Sequence, residues 1–138
     1  MENFDVLIIG AGPAGSTLAR NLQHSGLHIA LLDKKKFPRN KVCAGWVTPE
    51  VMRLLNIDPE RYAQGRILQQ IKGFKVGLSS EALQLIDYPE GPVSYGIRRF
   101  EFDHYLLQRC GIKPLPAEAV IKIEQVNKGS HSHWTVND

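Results

Sequence analysis

The stretch that most constrains this chain is DVLIIGAGPAGSTLARNL, Asp5 to Leu22. A short apolar run meets three glycines, Gly10, Gly12 and Gly15, and a helical pattern begins at once. The run Phe4 to Ile9, rich in Val and Ile, predicts a strand buried on both faces. Pro13 suits the first position of a helix, where its missing N–H costs nothing. Ala14, Leu18 and Leu22 recur every four residues and predict the helix's apolar stripe, with Gly26 placed to end it in the left-handed region. His28 to Asp33, HIALLD, predicts a second buried strand. Strand, helix and strand within about 30 residues make a βαβ unit with a right-handed crossover.

A glycine pattern alone is weak evidence, but here it follows a strand, opens a helix and is followed by an acid at the end of the next strand. Each glycine has a separable physical role. Gly10 permits the tight turn, and Gly12 lets the backbone approach a pyrophosphate at the positive end of the helix dipole. Gly15 lets helix and strand pack closely, and Asp33 is placed to accept hydrogen bonds from an adenosine ribose. The turn therefore predicts a dinucleotide site. Asp33 would repel a 2′-phosphate, whereas Lys34, Lys35 and Lys36 would attract one. Charge by itself leaves the choice of dinucleotide open.

At 138 residues the chain is one domain's worth, 1–138, and its 43% apolar content supplies a single core. The net charge of +3 comes without a Lys/Arg stripe interleaved with aromatics, so no nucleic-acid face is expected. The amino terminus carries Glu2 and Asp5 where a signal peptide would be positive. Apolar runs are too short to span a membrane. Cys43 and Cys110 lack metal-ligand spacing; a reduced cytoplasmic setting is the simpler reading, and a disulfide is the alternative.

Further along, Lys34 to Val47 reads as a long irregular connection, of the kind that is usually functional. Thr48-Pro49 predicts an N-cap opening a short helix through Leu55. Strands are predicted around Ile71–Gly77, Ala82–Ile86 and Val93–Ile97. Phe102, Leu106 and Cys110 predict a helix over Phe100 to Cys110 with Gly111 as its stop. Val120–Val126 and Trp134–Val136 flank the polar stretch NKGSHSH and read as a hairpin.

Two further stretches, FPRNKVCAGWVTP (Phe37 to Pro49) and RRFEFDHYL (Arg98 to Leu106), join GAGPAG and Asp33 in that order. Together they resemble the FAD-dependent oxidoreductases of the geranylgeranyl reductase-like branch of the p-hydroxybenzoate hydroxylase superfamily. The resemblance covers about residues 4 to 110. It implies an α/β, Rossmann-like FAD-binding domain: a βαβ unit with a parallel sheet plus a small antiparallel region. It implies FAD as cofactor, NAD(P)H as a transient reductant and a small, lipid-like substrate. It further implies that Gly10, Ala11, Gly12, Pro13, Ala14 and Gly15 line the pyrophosphate and that Asp33, followed by Lys34, holds the ribose. Arg39 would reach the FAD phosphates and ribityl chain, where a guanidinium fork can donate to two phosphate oxygens. Cys43, Ala44 and Gly45 match a loop beside the isoalloxazine ring, and Arg99 matches an arginine that closes over the flavin side.

The chain departs from the pattern at Asp33, where the family has Glu, and at Ala44, where it has Gly. Trp46 either stacks on flavin or substrate or anchors the loop. Members of the family are considerably longer, so a truncated fold is expected, lacking a substrate domain and open to self-association or to a missing carboxy-terminal half. No catalytic residue is named by the motifs, and no metal set is expected. Cys43, beside Arg39 and Lys41, is a reactive thiolate or a plain loop cysteine. His131 and His133 are weak metal ligands or solvated loop residues. Asp103 has no base-like partner in the sequence and is expected to cap or pair locally. Two other functions compete with the oxidoreductase: a non-catalytic nucleotide-binding fragment and an NAD(P)-binding Rossmann domain.

Overall fold

The computed structural model describes residues 3–78, 82–116, 119–120, 122–128 and 131–136. They fall into two compact units, the first from Met1–Arg39 with Asp103–Asp138 and the second from Asn40–Phe102.

The first unit opens with β1 (Val6–Ile9), α1 (Pro13–Leu22) and β2 (Ile29–Asp33). The two strands are parallel, with Val6 opposite Ile29 and Ile9 opposite Leu32, so the βαβ unit read from the glycine turn is present. Two details differ from expectation. β2 is central and buried on both sides, with Ala30 and Leu31 both inaccessible, but β1 is an edge strand whose Ile8 is buried while Leu7 and Ile9 are exposed. Side chains alternate along a strand, so Ile8 joins the cluster with Ala11 and Ala19 while Leu7 and Ile9 lie on the opposite face, which no described residue covers well.

The second difference is the buried side of α1, which is Ser16 and Ala19; Leu18 faces outward at 46% exposure. The cause is Gly15, where any Cβ would fall inside contact distance of the Gly10 carbonyl. A helix this close to its strand admits only small residues on the inner side. The larger, more apolar stripe is displaced outward. Gly26 does take the left-handed conformation at φ +78°, but the helix has ended earlier, with Gln23 as its cap.

The second unit contains β3 (Trp46–Val47), α2 (Pro49–Leu54), α3 (Pro59–Ala63), β4 (Leu68–Ile71), β5 (Gly73–Val76), β6 (Gln84–Asp87) and β7 (Ser94–Ile97). Both short helices begin with an oxygen-bearing cap followed by proline. Thr48 Oγ1 accepts from the Val51 N–H, and Asp58 accepts from the Glu60 and Arg61 N–H groups. β3, β7 and β4 form an antiparallel sheet in that order, and β5 pairs with β6 as an antiparallel hairpin. Their core holds Met52, Ile57, Tyr62, Tyr95, Ile97 and Phe102, with the Tyr62 and Phe102 rings packed edge to face at 5.9 Å.

Helix α4 (Arg99–Arg109) begins in the second unit and ends in the first. Its predicted stripe is observed: Phe102, Leu106 and Cys110 are buried, and Gly111 follows at φ +70°. In the first unit Leu107 and Cys110 join Ile8, Ala11, Ala19 and Leu31 in one apolar cluster. β8 (Leu115–Pro116) then adds to β2 in parallel, giving the order β1-β2-β8. β9 (Ile123–Lys128) and β10 (His131–Val136) pair antiparallel as expected, His131 opposite Lys128; Gly129 and Ser130 lie outside the described residues. Both cysteines are free thiols.

Candidate dinucleotide site

Gly10 and Gly15 take the backbone positions their spacing suggests. Gly10, at φ +100°, makes the turn, and its N–H donates to the Leu32 carbonyl at 2.7 Å, tying the end of β1 to β2. Gly12 caps α1 in an extended conformation and offers no side-chain acceptor to the first-turn N–H groups. Pro13 has no N–H. The N–H groups of Ala14 and Gly15 therefore leave the helix end without an intrahelical acceptor, in the field of the helix dipole. Ser16, fully buried, donates its hydroxyl back to the Gly12 carbonyl at 2.9 Å and holds the first turn.

Asp33 closes the turn from the other side. One carboxylate oxygen accepts the Ala11 N–H at 2.9 Å and the other accepts the Lys35 N–H at 2.8 Å. Ala11 is buried in the core and its N–H is spoken for, so its contribution is to brace the turn. An ionised carboxylate has about four acceptor positions. Two serve the backbone here, which leaves capacity for a ribose diol. Lys34 follows on the surface.

Arg39 arrives at this same place from the loop after β2. A Cβ built on Gly12 would lie 3.2 Å from Arg39 Nη2, so the guanidinium rests directly against the helix cap. It is also stacked over the Phe37 ring, 4.7 Å from the centroid, and its Nη1 lies 3.4 Å from Asp103 Oδ2. Asp103 thus has a partner beyond its own helix. Its partner stands in a different segment of chain, because α4 turns this carboxylate inward, beside Leu106 and Leu107. A charged residue next to the apolar stripe of a helix was the available signal for such a partner.

The second unit gathers the other candidates. Cys43, Ala44, Gly45 and Arg99 line one open depression of about 510 Å³, edged by Lys41 and Arg98. Gly45 sits at φ +72°, accepts the Ile97 N–H at 2.7 Å and has no room for a Cβ beside the Ile97 carbonyl. Its N–H donates to Cys43 Sγ at 3.4 Å, and the thiol is exposed. Trp46 meets Phe74 edge to face at 5.8 Å while staying half exposed. Among the described residues no group of His, Cys, Asp and Glu could hold a metal ion, and no helix is long and apolar enough to cross a membrane.

The family model described as FAD binding domain matches residues 3–59. A digeranylgeranylglycerophospholipid reductase from Methanothermobacter thermautotrophicus is 34% identical over 134 residues, 91% of this chain and 32% of that protein. A geranylgeranyl diphosphate reductase from Rhodobacter capsulatus is 30% identical over 109 residues, 78% of this chain and 26% of that protein. The chain thus spans about a quarter to a third of the length of these curated relatives. Among solved structures, a geranylgeranyl bacteriochlorophyll reductase-like protein from Thermoplasma acidophilum superposes on 99% of the chain with a TM-score of 0.72 at 22% identity, covering 36% of that protein. The glycine turn, its acid and its arginine lie inside residues 3–59 matched by the FAD binding domain model, and the chain is similar over most of its length to the amino-terminal part of geranylgeranyl reductases.

Proposed function

We propose that this chain is the FAD-binding portion of a flavin-dependent oxidoreductase of the geranylgeranyl reductase-like kind. The observation that carries this reading is the convergence of three groups in one unit. First-turn N–H groups of α1, the braced Asp33 carboxylate and the Arg39 guanidinium all stand around the Gly12 cap. Donors suited to a diphosphate lie beside an acceptor suited to a ribose. That is the chemistry of an adenine dinucleotide.

In this reading Ala14, Gly15 and Arg39 hold the phosphates, and Asp33 takes the ribose hydroxyls. Cys43, Ala44, Gly45 and Arg99 belong to the flavin end. When bound, FAD supplies the redox chemistry, and the protein supplies orientation and electrostatics. NAD(P)H as reductant, a small lipid-like substrate and a cytoplasmic setting complete the proposal for the whole protein, supported by the kind of relatives it has. The exposed Leu7 and Ile9 of β1 favour self-association or cover by further polypeptide.

Equilibrium dialysis of the apoprotein against FAD, NAD and NADPH tests the cofactor. FAD is expected to bind tightest. Tighter binding of NADPH would replace this reading with that of an NAD(P)-binding domain.

A further inference from the structure

Among the described residues Asp103 is the only charged side chain that is buried, with no exposed surface at all. Phe102, Leu106 and Leu107 stand near it along α4, and burying a carboxylate there is a poor way to stabilise a fold unless the charge does something else. Its oxygen Oδ2 lies 3.4 Å from Arg39 Nη1, while Arg39 Nη2 is the atom that faces the Gly12 cap. The guanidinium is planar, so fixing one amino group and the ring plane fixes the other. Asp103 holds the first, and the Phe37 ring beneath the guanidinium sets the plane.

The geometry points to Asp103 as the positioning residue for Arg39: it presents the free edge of the guanidinium at the mouth of the glycine turn. This inference rests on the reading of that turn as the diphosphate site. Without Asp103 the arginine would rotate about its side-chain bonds and would have to be ordered when the cofactor binds, which weakens binding. The opposite effect also exists, because the carboxylate competes with phosphate for the same cation. Asp103 is proposed to help on balance, since a fork already aimed loses less freedom than a free one. A lysine at position 39 could not do both jobs, because a single ammonium has no second edge to offer.

The test is a double-mutant cycle on the FAD dissociation constant of the full-length apoprotein. Asp103→Asn should weaken FAD binding about tenfold, and Arg39→Ala about ten- to hundredfold. The combined variant should bind no more weakly than Arg39→Ala alone, because the carboxylate acts only through the arginine. A cost of Asp103→Asn that is the same with and without Arg39 would make Asp103 a structural residue and overturn the inference. Tighter FAD binding by Asp103→Asn would overturn it too, showing a competitor.

Arg39→Lys gives an independent measurement with Asp103 intact, and can overturn the inference even if Asp103→Asn does not fold. It should recover little of the affinity lost in Arg39→Ala, and recovery to the parent value would mean that only charge matters. Gly12→Val separates the two levels of argument. If it binds FAD as well as the parent, the diphosphate reading itself is wrong. If Gly12→Val and Arg39→Ala both lose FAD while Asp103→Asn keeps parental affinity, only the positioning role falls.

Discussion

Single residues decide whether the turn can exist. Gly15 and Gly12 look alike in sequence but answer to different neighbours, one a backbone carbonyl and the other a side chain. A methyl group on Gly15 collides with the Gly10 carbonyl, whose peptide plane is held by the Ala11 N–H donating to Asp33. Gly15→Ala is therefore expected to destabilise the protein by about 1–3 kcal/mol, as overpacking does. Urea unfolding would measure it, and a midpoint equal to the parent's would show that the helix can slide. Gly12 faces only the end of the Arg39 side chain. Gly12→Val should leave the far-UV circular dichroism largely intact and abolish FAD binding, because the side chain would stand where the phosphates approach. Unchanged FAD affinity in a folded variant would place the phosphates elsewhere.

At the scale of elements, the short helices depend on their ends. α3 has only five residues, too few to be stable by propagation, so its capping contributes a large share of its free energy. Asp58 accepts two backbone N–H groups at 2.9 and 3.2 Å and sets the helix start ahead of Pro59. Asp58→Ala should cost about 0.5–2 kcal/mol, and Asp58→Ser should restore most of it. Thermal melting of the three proteins would check this; equal melting of Ala and parent would mean that Tyr62 packing alone holds the helix. The same Asp-Pro signal was open to a reading of the chain. No amphipathic stripe follows it within so short a segment, so the pair by itself predicts only a turn.

For the molecule as a whole, the two compact units have separate cores, one around Leu31 and Ala19 and one around Tyr62 and Met52. Leu31→Ala removes a fully buried side chain and should cost about 2–5 kcal/mol. Ile9→Thr lies on the exposed side of β1, where its side chain is 47% accessible, and should change stability by no more than about 0.5 kcal/mol. Denaturant titration of both variants would test which face of β1 is exposed. A large loss from Ile9→Thr would mean that this side is covered after all.

What the sequence determined by itself was everything governed by near neighbours. The glycine spacing set the turn, Pro13 the helix start, and the acid at the end of β2 the partner of the turn, all within 33 residues. The stripe of Phe102, Leu106 and Cys110 was equally legible, because helical periodicity depends on nothing beyond the helix. Tertiary structure decided what depends on distance along the chain. Which side of α1 faces inward was reversed by the closeness of Gly15 to Gly10, a steric fact that outweighs the apolar stripe. The doubly buried reading of β1 failed because only the face carrying Ile8 is packed among the described residues, and which faces of a strand are covered is not encoded in its own apolar run. The partner of Asp103 was invisible for the same reason: α4 and the Arg39 loop are far apart in sequence, and only packing brings a buried carboxylate to a guanidinium.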